Sequence, residues 1–335
     1  MKYILVVGGA GYIGAHMARM LLDKKHNIIV LDNLSTGNRT FVPKEAVFIP
    51  GDLRKPPDIE KAFKKYKIDT VMHFAASISV PESVRDPLKY YENNVLGCIN
   101  LLKIMRFYGV EKFIFSSTAA VYGEPRKIPI GENDLTSPTN PYGESKLMIE
   151  KILRDLSQSS GFRYVSLRYF NAAGCHPSGE LGPWHPQVTN LIPVIMRVIK
   201  GKQKELLIYG DDYPTPDGTC LRDYIHVLDL CRAHLLAYQQ LNQGMKSNVF
   251  NLGSGKGYSV KEVIRKAELI TKKDIPRRIF ARRPGDPSKL IASYKKAKQI
   301  LNWEPKLTLE DMVRSMWKYE QGGLHRNGSP GKIRK

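Results

Sequence analysis

Short apolar runs and amphipathic stretches alternate along the first 170 residues. Tyr3–Val7 is a five-residue apolar run closed by Gly8-Gly9, the length and composition of a strand buried on both faces. Ala15–Leu22 follows with apolar residues at helical spacing. The alternation then predicts strands at Ile28–Leu31 and Val47–Ile49, a helix at Asp58–Tyr66, a strand at Thr70–Phe74 and a long amphipathic helix at Pro87–Phe107. Next come a strand at Lys112–Phe115, a helix at Tyr142–Ser159 and a strand at Tyr164–Arg168. Strands alternating with helices predict an α/β fold with a doubly wound parallel sheet. Beyond Arg168 the pattern loosens. Residues 171–190, rich in Gly, Pro, His and Asn, read as binding loops. Asn190–Lys200 reads as a helix, Leu206–Tyr209 as a short strand and Gly210–Thr219 as a polar turn region. Cys220–Asp229 and Ser247–Leu252 read as a return to the sheet. Val260–Ile270, Ser293–Leu301 and Leu309–Tyr319 read as helices.

The first strand-to-helix junction carries Gly8-Gly9-Ala10-Gly11-Tyr12-Ile13-Gly14. Glycine removes the Cβ that blocks close approach of a ligand, and backbone N–H groups at a helix N-terminus favour a pyrophosphate. Asp32 closes the second strand, 18 residues past Gly14. An acid there accepts from ribose hydroxyls and repels a 2′-phosphate, which favours NAD over NADP. Asp52-Leu53 stands where it can reach an adenine edge, and Phe74-Ala75-Ala76-Ser77 follows a strand end that faces the ligand in open α/β sheets. The predicted architecture is Rossmann-like with an interleaved second unit. Residues 1–170 and about 220–258 form the NAD-binding part, and 171–219 and 259–320 a smaller substrate-binding part. Residues 322–335 form a basic tail expected to be disordered.

Asn140-Pro141-Tyr142-Gly143-Glu144-Ser145-Lys146 supplies candidate chemistry. Asn140 suits an N-cap and Pro141 the first helical position, with Leu147, Ile149, Ile152 and Leu153 following at helical spacing. Tyr142 and Lys146 then share one face, about 6 Å apart. A cation beside a phenol favours the phenolate. Bringing a tyrosine from ~10 to about 7 takes about 4 kcal/mol at ~1.4 kcal/mol per unit. The bland alternative, a surface helix with a solvated lysine, is weighed against the motifs that surround it.

The net charge is +20, yet the basic residues are scattered and form no recognition motif or aromatic platform, so specific nucleic-acid binding is not expected. No apolar run reaches the roughly 18–20 residues of a membrane span. Cys98, Cys175, Cys220 and Cys231 are widely spaced, which fits a reducing cytoplasm, and the histidines do not cluster with metal-ligand spacing.

With the glycine loop, Ser116-Ser117-Thr118 and Tyr142-x-x-x-Lys146 in order, residues 2–320 resemble the extended short-chain dehydrogenase/reductase family. Within it the chain is most similar to the 4-epimerases of UDP-glucose and UDP-galactose. The narrower likeness is carried by Tyr12-Ile13-Gly14 and Tyr169-Phe170-Asn171. It continues in Tyr213–Thr219, leading to Arg222-Asp223-Tyr224-Ile225-His226-Val227, and in Arg282-Arg283-Pro284-Gly285-Asp286. The resemblance implies Tyr142 as catalytic base and Lys146 as the group that lowers its pKa and holds the nicotinamide ribose. Thr118 would bond the sugar hydroxyl and relay its proton. It implies NAD contacts from Gly8, Gly11, Tyr12, Ile13, Gly14, Asp32, Asn33, Asp52, Leu53, Phe74, Ala75, Ala76, Asn94, Ser116, Tyr142, Lys146 and Tyr169. Contacts to the UDP-hexose are implied for Thr118, Asn171, Asn190, Leu191, Tyr209, Arg222, Arg283, Asp286 and Leu290. A homodimer joined through a four-helix bundle by Pro87–Phe107 and Tyr142–Ser159 is likewise implied.

Two departures from related patterns matter. Sugar-nucleotide dehydratases carry an Asp-Glu pair after the threonine, and UDP-glucuronate decarboxylases a glutamate. Here the positions are Ala119 and Ala120, and a methyl cannot transfer a proton. Ile78 stands where some relatives have a cofactor-contacting lysine, so weaker retention of NAD is expected. The expected reaction is reversible C4 epimerisation of UDP-glucose and UDP-galactose through a 4-keto intermediate. Leu290, intermediate in size at the position that limits the sugar pocket, leaves N-acetylated sugars open. Another UDP-sugar (UDP-GlcNAc/GalNAc, UDP-glucuronate or a UDP-pentose) is the first alternative. A non-enzymatic NAD-sensing protein is the second.

Overall fold

The computed structural model describes residues 1–184, 189–283 and 286–322. The first part runs β1 (Tyr3–Val7), α1 (Tyr12–Asp23), β2 (Ile28–Asp32), β3 (Val47–Pro50), α2 (Pro56–Lys65), β4 (Ile68–His73), α3 (Val80–Arg85), α4 (Pro87–Tyr90), α5 (Gly97–Phe107), β5 (Lys112–Thr118), α6 (Pro141–Ser159) and β6 (Arg163–Tyr169). Then follow β7 (Asn171–Ala173), α7 (Leu191–Ile199), β8 (Leu206–Tyr209), β9 (Leu221–His226), α8 (Val227–Asn242), β10 (Asn248–Leu252), β11 (Gly257–Ser259), α9 (Val260–Thr271), β12 (Arg277–Phe280), β13 (Lys289–Leu290), α10 (Lys295–Leu301) and α11 (Leu309–Gln321).

Seven strands form one parallel sheet in the order β10-β6-β5-β4-β1-β2-β3. This is the expected Rossmann-like, doubly wound sheet. Side chains alternate across it. Ile4 and Val6 join Met17, Leu21 and Leu230 under α1 and α8, whereas Leu5 and Val7 join Ile59, Leu101 and Leu153 under α2, α5 and α6. Burial on both faces explains why the strands read as unbroken apolar runs. The strand order reverses between β1 and β4, and ligands bind outside the carboxyl ends of strands at such a switch point. A separate core, with Ile192, Met196, Val263, Ile264, Met312 and Met316, lies among α7, α9 and α11.

Three expectations are corrected. Pro87–Phe107 is not one α-helix, because Tyr91–Leu96 is a π-helical turn between α4 and α5. The wider turn carries Asn94 inward, where Oδ1 accepts from Ser77 N at 2.8 Å and Nδ2 donates to Ser77 O and the Ser145 hydroxyl. Hydropathy spacing does not register one extra residue per turn when both ends stay amphipathic. Leu221–His226 does not return to the main sheet. It pairs with β7, β11 and β13 in a smaller one, and only Asn248–Leu252 rejoins the main sheet, beside β6. The chain between them is α8, started at His226, whose ring accepts from Leu228 N. A short apolar run specifies a strand but not its partner. The strand expected to stop at Phe115 continues to Thr118. Beyond Gly322 the expected tail lies outside the described residues. Among the described residues no helix is long and apolar enough to cross a membrane.

Candidate active site

The turn after β1 is built for close backbone approach. Gly8 has φ +78°, and a Cβ there would lie 2.5 Å from Ala75 N, while one at Gly14 would lie 2.2 Å from Gly8 O. Phe74 N donates to Val7 O at 2.8 Å, fastening the Phe74-Ala75-Ala76 segment beside the loop. Gly11 caps α1 without a side chain, and no acid stands in the first turn. The helix therefore presents its first N–H groups to an anion. These features fit a dinucleotide's pyrophosphate. Asp32 is buried, its carboxylate accepting from Ala10 N at 2.9 Å and Leu34 N at 2.8 Å. Asn33 donates to Asp52 at 3.1 Å, and the Arg54 guanidinium holds the Asp52 carboxyl well below the usual range. Leu53 is buried and its carbonyl accepts from Asn100. Tyr12 donates to Gly174 O at 2.5 Å, tying α1 to the loop after β7, and Ile13 O faces the Cys231 thiol. Ile78 is exposed.

The second half of the site is the N-terminus of α6 against the end of β5. Asn140 caps the helix, accepting from Gly143 N at 2.9 Å, with Pro141 in the first position. A Cβ on Gly143 would lie 2.7 Å from Ala120 O, so glycine lets this turn press on the segment that follows Thr118. Burial raises the Tyr142 phenol, and its hydrogen bond with Thr118 opposes the rise. Lys146 is 2% exposed. Its ammonium donates to Ser116 O at 2.9 Å and stands 4.9 Å from the centre of the Phe115 ring. Burial pulls it down to about 8, against the pull of Cys98 and Glu150. The lysine is turned to the Ser116 carbonyl, and Thr118 is the side chain that opposes the rise of the Tyr142 phenol. Tyr169 is half-buried, and desolvation pushes its phenol far up, with Ser116 opposing.

The small sheet gathers several residues expected to contact substrate. Asn171 pairs with Tyr224 and Leu290 with Arg222. Arg222 meets Asp286 at 3.5 Å. Leu290 packs on a cluster containing Ala119, Tyr122, Leu147 and Phe170, so it borders the segment that follows Thr118. The Arg283 guanidinium lies 3.8 Å from the centre of the Tyr209 ring. Asn190 caps α7, which begins at Leu191, but makes no side-chain capping bond. Pro284 and Gly285 lie outside the described residues. Among the described residues no group of His, Cys, Asp and Glu is arranged to hold a metal ion.

Two buried charges escaped the sequence reading: Glu150, on the apolar face of α6, and Arg168, near the end of β6. The available signal was the placement of each inside an apolar run, with Glu150 four residues past Lys146.

Residues 4–253 match the NAD dependent epimerase/dehydratase family. A UDP-glucose 4-epimerase from Halalkalibacterium halodurans is 50% identical over 323 residues, 96% of each chain. A solved UDP-glucose 4-epimerase structure superposes with a TM-score of 0.95 at 45% identity, covering 98% of this chain and 99% of that one. The Bifidobacterium longum UDP-glucose 4-epimerase in complex with NAD+ and UDP gives 0.91 at 40% identity, covering 96% and 98%. Likeness of this extent, spanning both the glycine cradle and the sheet that carries Arg222, decides the matter: the chain belongs to the NAD dependent epimerase/dehydratase family and stands within it among the UDP-glucose 4-epimerases.

Proposed function

We propose that this chain interconverts UDP-glucose and UDP-galactose by inverting the hexose C4 through a 4-keto intermediate. The observation that carries this reading is the start of α6 pressed on the end of β5, which sets Tyr142 beside Thr118, with Ala119 and Ala120 following. One phenol and one hydroxyl can move a proton, and the neighbouring methyls add no second acid or base. NAD, when bound in the glycine cradle, supplies the hydride acceptor and donor at C4. Gly8, Gly11 and Gly14 would hold its pyrophosphate, Asp32 a ribose, Asn33, Asp52 and Leu53 the adenosine end, and Lys146 and Tyr169 the nicotinamide end. Tyr142, as phenolate, takes the 4-hydroxyl proton directly or through Thr118, and returns it after the sugar has turned. Arg222, Arg283, Asn171 and Asn190 anchor the UDP portion. Binding energy spent on the non-reacting nucleotide leaves the hexose free to present either face.

The test is turnover of UDP-galactose with NAD supplied. Formation of UDP-glucose is the expected result, and a silent wild-type enzyme removes the reading. A non-enzymatic NAD sensor has no need of the intact Thr118, Tyr142 and Lys146 set, which counts against that alternative. The buried, free cysteines suit the reducing cytoplasm in which we place the enzyme.

Leu290 supports a broader substrate range, with UDP-GlcNAc accepted beside the plain hexose. Leu290→Tyr fills the pocket wall against Ala119. It is expected to cut kcat/KM for UDP-GlcNAc at least about tenfold while leaving UDP-galactose within about threefold. Equal losses for both substrates contradict the assignment of this wall.

We also propose a homodimer through the helices around α5 and α6. Tyr91, Val95, Leu96, Ile99 and Met148 line an open groove there, and Leu88 and Leu96 are exposed. Apolar surface of this kind is characteristic of a self-complementary two-fold interface. Leu96→Glu is expected to convert a dimeric light-scattering mass to the monomer's. A monomeric wild type at micromolar concentration overturns the proposal.

A further inference from the structure

Behind Tyr142 and Lys146 lies an ion pair with no solvent contact to speak of. Glu150 is 5% exposed and Arg168 6%. Arg168 Nε donates to both Glu150 oxygens, at 3.0 and 3.1 Å, and Nη2 donates to Oε2 at 2.5 Å. The Ser117 hydroxyl donates to Oε1 at 2.5 Å. On its far side Arg168 reaches the Tyr122 hydroxyl at 2.8 Å, which donates to Asn251 Oδ1 at 2.8 Å. One carboxylate thus joins α6, β5 and β6. It does so one turn from Lys146, one residue from Thr118 and one residue from Tyr169.

Such a pair is a poor way to gain stability, because burying two charges costs about what their attraction returns. Its placement suggests another use. The Lys146 ammonium touches the Ser116 carbonyl and the Phe115 ring of β5, while Glu150 from α6, Cys98 from α5 and His73 from β4 lie near enough to couple to its charge. Cys98 is a thiol pushed up to about 12 and His73 an imidazole pulled down to about 3, both chiefly by burial. Both are therefore uncharged near neutrality. Glu150 is the anion of the set, and it pulls against the effect of burial on Lys146.

We propose that Glu150 is a positioning residue for the reaction: it fixes the Thr118 strand end against the Tyr142–Lys146 helix. This inference rests on the epimerase reading given above. The Ser117 hydroxyl is the mechanical tie, since a strand end that slips changes the Thr118-to-Tyr142 spacing directly. The carboxylate is the electrical tie, since an opposite charge favours the charged form of a buried lysine.

E150Q keeps the shape and an acceptor oxygen but removes the charge. It is expected to lower kcat for UDP-galactose about tenfold at pH 7, with KM and bound NAD within about twofold. An alkaline limb of the kcat profile governed by Lys146, which burial pulls down to about 8, is expected to move toward neutral pH. The sign follows from Lys146 losing its anion and shedding its proton sooner. S117A cuts only the tie to β5 and is expected to lower kcat about threefold without moving that limb. E150D, which keeps the charge, is expected to restore the limb. A role in stability alone would lower the melting temperature and leave the pH profile in place. A folded E150Q with the wild-type profile overturns the proposal. If E150Q does not fold, wild-type kcat in S117A overturns it and a loss there supports it. A silent wild type in the same series removes the functional reading itself, whereas an active wild type with unaffected variants removes only this inference.

Discussion

Tyr142→Phe is expected to reduce kcat for UDP-galactose by about 10³–10⁴-fold while KM and NAD content stay close to wild type. The ring remains, so its edge contact with Tyr90 at 6.5 Å survives, and no void is opened. What disappears is one oxygen, the partner of Thr118. Ala119 and Ala120 follow that threonine, and neither can stand in. His73 is close to Lys146, but burial keeps it neutral and its ring is packed against Phe113 and Phe115. Loss of a sole acid-base group falls on kcat, because the proton is shared only in the transition state. A variant retaining more than about a tenth of the wild-type rate points to a second base and overturns the role given to Tyr142. Steady-state rates of UDP-glucose formation, with NAD measured in the same preparations, decide it.

Gly14→Ala is the second large expected effect. The new methyl would lie 2.2 Å from Gly8 O and 2.9 Å from Gly8 C and Gly9 Cα. All three are backbone atoms in a turn held by Gly8 N to Leu31 O and Gly11 N to Gly8 O. Nothing flexible can yield, so either the turn opens or α1 shifts away from β1. Overpacking of this sort costs about 1–3 kcal/mol or more, and it deforms the cradle as well. The expected result is a lower melting temperature and at least about a 100-fold loss of NAD affinity, read as loss of the melting-temperature rise that added NAD produces. Gly11→Ala is the contrast: its methyl meets Gly8 O at 3.3 Å and nothing nearer. It should fold nearly as well yet bind NAD less tightly, because it crowds the ligand rather than the protein. Equal NAD responses in Gly14→Ala and wild type contradict the cradle.

The sheet was legible because its chemistry is local. The six strands of the first 170 residues and their covering helices read as apolar runs or apolar stripes, and Gly8, Gly11 and Gly14 sit where strand meets helix. What escaped depends on partners far along the chain. Leu221–His226 has the composition of a main-sheet strand, but Asn171–Ala173 and Leu290 claim its edges. The π turn at Tyr91–Leu96 turns Asn94 onto Ser77 and Ser145 together, partners that no periodicity encodes. The spacing of Tyr142 and Lys146 on one helical face was right, but spacing could not reveal that Ser116 O takes the ammonium. Leu290 entered through resemblance, and its contact with Ala119's cluster supplies the physical reason it can limit the pocket. Glu150 and Arg168 were visible only as interruptions in apolar runs, since neither has meaning without the other.

The place of β10 in the sheet has a consequence for how the molecule is made. Tyr164 N bonds the Ser247 hydroxyl across 83 residues, and β10 then zips along β6 from Asn248 to Leu252. Until ribosomal synthesis has passed that point, β6 is an unpaired edge, the feature that invites wrong pairing. The intervening chain includes α7, β8 and β9, so half of the smaller unit must emerge before the larger one can close. Pairing at such separation raises contact order and slows folding. It also means that a cut near residue 170 yields no self-sufficient nucleotide-binding fragment. The chain of the main sheet and that of the smaller one are written in alternating instalments, and the late strand makes completion of the first wait for part of the second.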